Sequence, residues 1–275
     1  MTRLSEVGEL GLLAELEQRG LIVGVEHDAA VVGGLVLTQD ALVEGVHFLL
    51  DRIGWRELGY RAAAVNLSDL AASGATPLGL LVSFAAPAET KLADVIELYE
   101  GIAEAGVPVV GGDTTSAGSA VLSVTAVGCS ERVPGRAGAR AGDALVVTGP
   151  LGGGGAAFRE RAYVRPPLRL AEGRQLAATA HAMLDLSDGL AVDVAHLARR
   201  SGVRCVVDLE RVPLAPGATV DDLGFGEDYE LLAAVADPAA SGFAVIGRVE
   251  RGEGVELLLN GAPVALPGYE HYVGR

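Results

Sequence analysis

Ala64-Val65-Asn66-Leu67-Ser68-Asp69-Leu70-Ala71-Ala72 is an alanine- and leucine-rich run with one carboxylate set inside it. The composition of residues 55–73 predicts a helix, closed by Gly74 and Pro77. The apolar neighbours of Asp69 should be buried. A carboxylate in such surroundings is costly unless a metal ion or a cationic side chain compensates it. Asn66, three residues earlier, shares its helical face.

Working outward from this helix, Ala29–Val32 and Leu35–Thr38 are β-like and flank Gly33-Gly34, the pattern of a hairpin. Further upstream, Leu10, Leu13 and Leu16 recur at helical spacing between glutamates over residues 4–19, and Gly20 ends the segment. Downstream, the pattern predicts a strand over 78–85, a helix over 88–105 and strands over 107–110 and 120–129. This is an α+β half. Residues 130–143 are rich in Arg, Gly and Pro without periodicity and read as a connection. The division expected is therefore an N-terminal domain at 1–132 and a C-terminal domain at 133–275. In the second half, strands are expected at 144–148, 203–208, 230–236 and 243–249. Helices are expected after the glycine run 152–155, from Pro166-Pro167 to about His181, and over 190–201.

Half of the 275 residues are apolar, enough for one large core or two modest ones. Lys and Arg number 21 against 36 Asp and Glu, a formal charge of −15, which repels nucleic acid and anionic lipid surfaces. Cys129 and Cys205 are far apart and outside any Cys-x-x-Cys pairing, which argues against disulfides and thiolate zinc and fits a reducing cytosol. The chain opens Met1-Thr2-Arg3-Leu4-Ser5-Glu6, acidic where a signal peptide is apolar, so a soluble, unprocessed cytoplasmic protein is expected. Lys91 is the only lysine.

Asp28, Asp40, Asp69, Asp113, Asp185, Asp188, Glu227 and Asp228 mostly stand at element ends beside glycine or serine. Singly, each is what turns and helix caps also use. Together they suit carboxylates converging on magnesium, which takes oxygen ligands. The sequence contains no Gly-x-x-x-x-Gly-Lys-Ser/Thr, and alanines follow the glycine run. With lysine so scarce, a triphosphate would have to be neutralised by metal ions on aspartates, assisted by arginine and backbone N–H groups.

Six segments carry a resemblance: Asp-Ala-Ala-Val at 28–31, Val-Glu-Gly-Val-His-Phe at 43–48, Ala-Val-Asn-Leu-Ser-Asp-Leu-Ala-Ala at 64–72, Gly-Gly-Asp-Thr-Thr at 111–115, Asp-Leu-Ser-Asp-Gly-Leu at 185–190 and Gly-Glu-Asp-Tyr-Glu-Leu at 226–231. In order and spacing they resemble the thiamine-monophosphate kinase family of the aminoimidazole-ribonucleotide-synthetase-like superfamily. The resemblance implies two α+β domains, N-terminal strands pairing across a homodimer, and ATP with magnesium between the lobes. It implies Asp28, Thr38, Gln39, Asp40, Asp69, Asp185 and Asp188 around magnesium, and Gly112, Asp113, Arg136 and Ser187 around ATP. His47, Glu227 and Tyr269 fall at positions that contact thiamine monophosphate, and Asp69, Asp113 and Asp188 at catalytic ones. Each of the three acceptor positions also has an ordinary reading: a packed histidine, a turn cap, a tyrosine fastening the C-terminal segment.

The acceptor phosphate is ionised near neutral pH, so the implied mechanism is direct in-line transfer resting on alignment and electrostatics. The chain departs from the family at Glu26-His27-Asp28, where Gly-Asp-Asp is usual. It also departs in a shortened 155–165 segment and in Arg165-Pro166-Pro167-Leu168-Arg169, which displaces the second proline. Two alternatives remain open: another ATP-using superfamily member, whose reactive N- or C-terminal cysteine this chain lacks, and a catalytically inactive protein that binds nucleotide or thiamine phosphate.

Overall fold

The structure, a computed structural model, describes residues 3–23, 27–269 and 271–272. Helix α1 (Leu4–Gln18) is broken at Gly8, where φ is +68°. Strands β1 (Ala30–Val32) and β2 (Leu35–Val43) form the hairpin around Gly33-Gly34. Helix α2 (Trp55–Ala72) follows, then β3 (Thr76–Ala86), α3 (Leu92–Glu104), β4 (Val109–Ser116) and β5 (Val121–Cys129). These strands make a five-stranded sheet in the order β1-β2-β5-β3-β4, antiparallel except for the β3–β4 pair.

One face of that sheet is covered by α2. Val36, Leu80, Val82, Phe84, Leu122, Val124 and Ala126 from the strands meet Leu58, Ala62, Ala63, Leu67 and Leu70 from the helix in one core. Helix α3 crosses α2 without side chains at the crossing. A methyl group on Gly59 would overlap the carbonyl oxygen of Leu98, and one on Gly101 would overlap that of Arg56, so both glycines are required by backbone-to-backbone approach. Strand β4 is exposed along its whole length and extends through Gly111, Gly112 and Asp113, residues the sequence pattern leaves outside a strand. Two glycines lower strand propensity, and this edge strand is held instead by its parallel pairing with β3.

The second sheet takes in β6 (Ala144–Val147), β7 (Ala182–Asp185), β8 (Arg204–Asp208), β9 (Leu231–Val235), β10 (Ala244–Glu250), β11 (Gly254–Leu259) and β12 (Ala262–Val264). Its order is β12-β11-β8-β10-β6-β9-β7. Helices α4 (Gly153–Arg159), α5 (Leu170–Ala177), α6 (Leu190–Ser201) and the single turn α7 (Pro238–Ser241) accompany it. The helix expected to reach His181 stops at Ala177, and the buried residues 182–185 are a strand. The β11–β12 hairpin turns at Asn260-Gly261, both with positive φ as its turn requires.

The two sheets share a boundary. Ala71 and Ala72 at the C-terminal end of α2 pack with Val146, Leu176, Ala177, Met183 and Leu231, so α2 belongs to both cores. Gly173 makes this possible, since a methyl there would overlap the Ala71 carbonyl oxygen.

Candidate active site

Three carboxylates converge at the C-terminal end of α2. Oxygens of Asp28, Asp69 and Asp185 lie within 4.8 Å of one another. Asp28 precedes β1, Asp69 stands on α2 and Asp185 ends β7, so the group is assembled from both sheets. Ser68 Oγ donates to Asp185 Oδ2 at 2.6 Å, and Arg136 pairs with Asp28, whose side chain is only 2 % exposed. The side chains beside Asp69 are buried as the composition predicts, while Asp69 itself stays partly exposed because its carboxyl faces the cluster.

Desolvation and mutual repulsion both act here. Burial, and then the charge of Asp28, pushes the Asp185 carboxyl up to about 8. Asp69 is held well above the usual carboxylate range by burial and by Asp185, Asp40 and Asp28. Burial also raises Asp28, where it outweighs Arg136. One guanidinium against this much negative charge leaves a site that fits a divalent cation, and every donor is a hard oxygen.

Strand alternation decides which other predicted residues join them. Thr38 and Asp40 face α2: Thr38 Oγ1 donates to the Asn66 carbonyl at 2.9 Å, and the Asp40 N–H donates to Asn66 Oδ1 at 3.0 Å. Asp40 is close enough to Asp69 and Asp28 for their carboxyls to act on its own. Gln39 lies between them and points to the opposite face, where its Nε2 donates to Ser123 Oγ at 3.1 Å. Its side chain therefore points away from the carboxylate group.

Gly112 and Asp113 are also separated from the cluster. The register runs Asp40–Val124–Val82–Gly112 across the sheet, so Gly112 stands three strands from Asp40 on the exposed edge strand. Asp113 does not join the three carboxylates of its own chain, because β4 rather than a loop carries it. Arg136, Ser187 and Asp188 do gather, lining with Asp185 a cavity of about 280 Å³ roofed by Leu10 and Leu13 of α1. Burial pushes Asp188 up to about 6, with Glu9 adding to the effect. Asp193 accepts from the N–H groups of Asp188 and Gly189, fixing this loop.

The predicted acceptor residues form a second centre. His47, His271 and Tyr269 are in edge contact, with ring centroids 5.2 Å apart for the histidines and 4.8 Å for His271 and Tyr269. The Tyr269 hydroxyl lies 3.1 Å from His271 Nδ1. His47 Nδ1 accepts from the Val43 N–H at 3.0 Å, and burial, with His271 and Arg61 beside it, lowers the ring to about 4. Glu227 pairs with Arg61 of α2 at 2.5 Å. Glu227 and Tyr229 adopt positive φ, +61° and +51°, uncommon for side chains of this size and held by hydrogen bonds from their N–H groups to Ser187 and Leu186.

Other motif residues turn out to be scaffold. Asp228 accepts from the N–H groups of Gly152 and Gly154, so the glycine run is capped from within the chain. His27 stands outside the carboxylate group, its Nδ1 buried without a hydrogen-bond partner, and Glu26 lies outside the described residues. Sequence reasoning missed Arg61, Ser68, Asp193 and His271. Arg61 alone carried a signal, being an arginine in the same alanine-rich run that marked Asp69.

Comparison with known proteins fits this arrangement. The models of the AIR synthase related protein N-terminal and C-terminal domains match residues 26–130 and 140–260. The thiamine-monophosphate kinase of Aquifex aeolicus is 33% identical over 98% of this chain and its own full length. That of Mycobacterium tuberculosis is 35% identical, covering 90% of this chain and 86% of the relative. The chain belongs to the thiamine-monophosphate kinase family. A solved structure of AaThiL complexed with AMPPCP and TMP superposes with a TM-score of 0.89 at 33% identity, covering 98% of this chain and 99% of that one. The hydrogenase maturation protein HypE in complex with ATP, at 20% identity and a TM-score of 0.71, shares the fold. Among the described residues, no helix of this family member is long and apolar enough to cross a membrane.

Proposed function

We propose that the chain transfers the terminal phosphate of ATP to thiamine monophosphate, giving thiamine diphosphate, with magnesium held by Asp28, Asp69 and Asp185. The observation that carries this reading is the assembly of those carboxylates from both sheets beside the cavity lined by Arg136 and Ser187. Asp40 stands beside these carboxylates and Asp188 lines the cavity. Magnesium supplies charge neutralisation and orientation of the phosphates.

The chain's own residues do the rest. Arg136 and Ser187 flank the nucleotide, and His47, Tyr269 and Glu227 surround the acceptor. A half-buried His47 whose ring is lowered to about 4 is no impediment, since an ionised phosphate needs no base to act as nucleophile. The separation of Asp113 from its own cluster, with exposed Val109 and Val110 on its strand and Val31 and Val32 on the other edge, supports a homodimer. In that dimer the first domain, residues 1–132, supplies the pairing strands and residues 133–275 complete each site. The two free thiols, Cys129 and Cys205, suit a reducing cytoplasm.

The test is incubation with magnesium, ATP and a panel of phosphorylated acceptors, following ADP and product. Production of thiamine diphosphate dependent on thiamine monophosphate supports the reading. Equal turnover with unrelated acceptors, or binding without turnover, overturns it in favour of another activity or an inactive binder.

A further inference from the structure

Arg61 is the buried cation that the reading above leaves without a task. Its side chain is 9% exposed, it sits in the apolar middle of α2, and its single ion-pair partner among the described residues is Glu227. Its Nε is buried with no hydrogen-bond acceptor. Burying a guanidinium donor unsatisfied costs on the order of 1–3 kcal/mol or more, so an oxygen-rich ligand has something to complete there.

Position supports the same conclusion. Arg61 and Ser68 are seven residues apart on α2, two turns on one face, which separates them by about 10.5 Å. Ser68 touches Asp185, and Arg61 touches Glu227 beside His47. One helical stripe therefore carries an anion-rich centre at one end and a cation at the other, about the span of a short phosphate chain apart.

We propose that Arg61 binds the phosphate of the acceptor, exchanging part of its pairing with Glu227 for that phosphate, and so sets the preference for a phosphorylated over an unphosphorylated thiamine. The inference rests on the proposed kinase reading. A planar guanidinium suits phosphate oxygens, and the freed Glu227 carboxylate then faces the positively charged ring of the acceptor.

Isothermal titration with thiamine monophosphate and with thiamine, both in magnesium, tests it on wild type, Arg61→Gln and Arg61→Lys. Arg61→Gln is expected to weaken thiamine monophosphate binding about 10- to 100-fold and change thiamine binding by less than about twofold. Arg61→Lys should recover part of the loss. Equal weakening of both ligands would show that Arg61 only positions Glu227, and no weakening of either would show a structural pair; both overturn the proposal. Should Arg61→Gln not fold, Arg61→Lys decides alone, by whether phosphate-dependent preference falls. Wild type that fails to bind thiamine monophosphate would sink the kinase reading instead, a separate outcome.

Discussion

Helix α2 carries two buried charged centres of opposite character. Near its C-terminal end, Asp69 joins Asp28, Asp40 and Asp185 with one guanidinium among them. Two turns earlier, Arg61 meets a single carboxylate beside His47, Tyr163 and Tyr229. The first centre has too much negative charge for its burial and the second holds a donor with nothing to bind. Both imbalances are of the kind that ligands correct, and a stable scaffold would not keep them for their own sake.

The largest effect expected from disturbing this contrast comes from Asp69→Asn. The amide keeps the shape and removes the charge a metal ion requires, so turnover should fall by about 10³-fold or more, while the melting temperature holds or rises as like-charge repulsion is relieved. Normal turnover would make Asp69 a structural residue and remove the contrast.

Gly59→Ala tests whether both centres depend on one rigid helix. Overpacking at the α2–α3 crossing should cost about 1–3 kcal/mol of stability, read by denaturant titration, and lower activity through both ligands at once. Selective loss of one ligand would show that the two ends move independently.

A pH series sharpens the acidic end. Asp185 holds its proton in the folded state to about pH 8, far above the unfolded value, so the folded state binds more protons between about pH 4 and 8. Metal-free protein should therefore lose stability as pH rises through that window. Magnesium should raise the melting temperature more at pH 8 than at pH 5, and an equal rise at both would separate Asp185 from the metal.

The smallest effect concerns His27. Replacing it with aspartate restores a carboxylate next to Asp28 and should lower the magnesium concentration for half-maximal activity by about two- to tenfold. An unchanged titration would show that position 27 does not sense the metal.

Much of this architecture was legible in the sequence. The Gly33-Gly34 hairpin and the alanine-rich α2 read correctly from their turn residues and composition. What failed has physical causes. Gly111-Gly112 hid β4 because its partner strand, not its own side chains, holds it extended. Gln39, set beside Thr38 and Asp40 by the family resemblance, turns its side chain to the other face because a strand has a period of two. His271 lies in a segment with no periodicity, so its contact with His47 was visible only in three dimensions.

The glycine crossing of α2 and α3 carries a consequence for how such an enzyme can diversify. Gly59 and Gly101 are each pressed against the other helix's backbone, so a lineage that drifts at one position finds no compensating change at the other. The helix acts as a fixed ruler between the carboxylate cluster and the Arg61–Glu227 pair. Adaptation to longer or shorter acceptors is thereby channelled into the segments around residues 44–52, 225–229 and 267–272, which can be rewritten one residue at a time while the spacing along α2 is inherited unchanged.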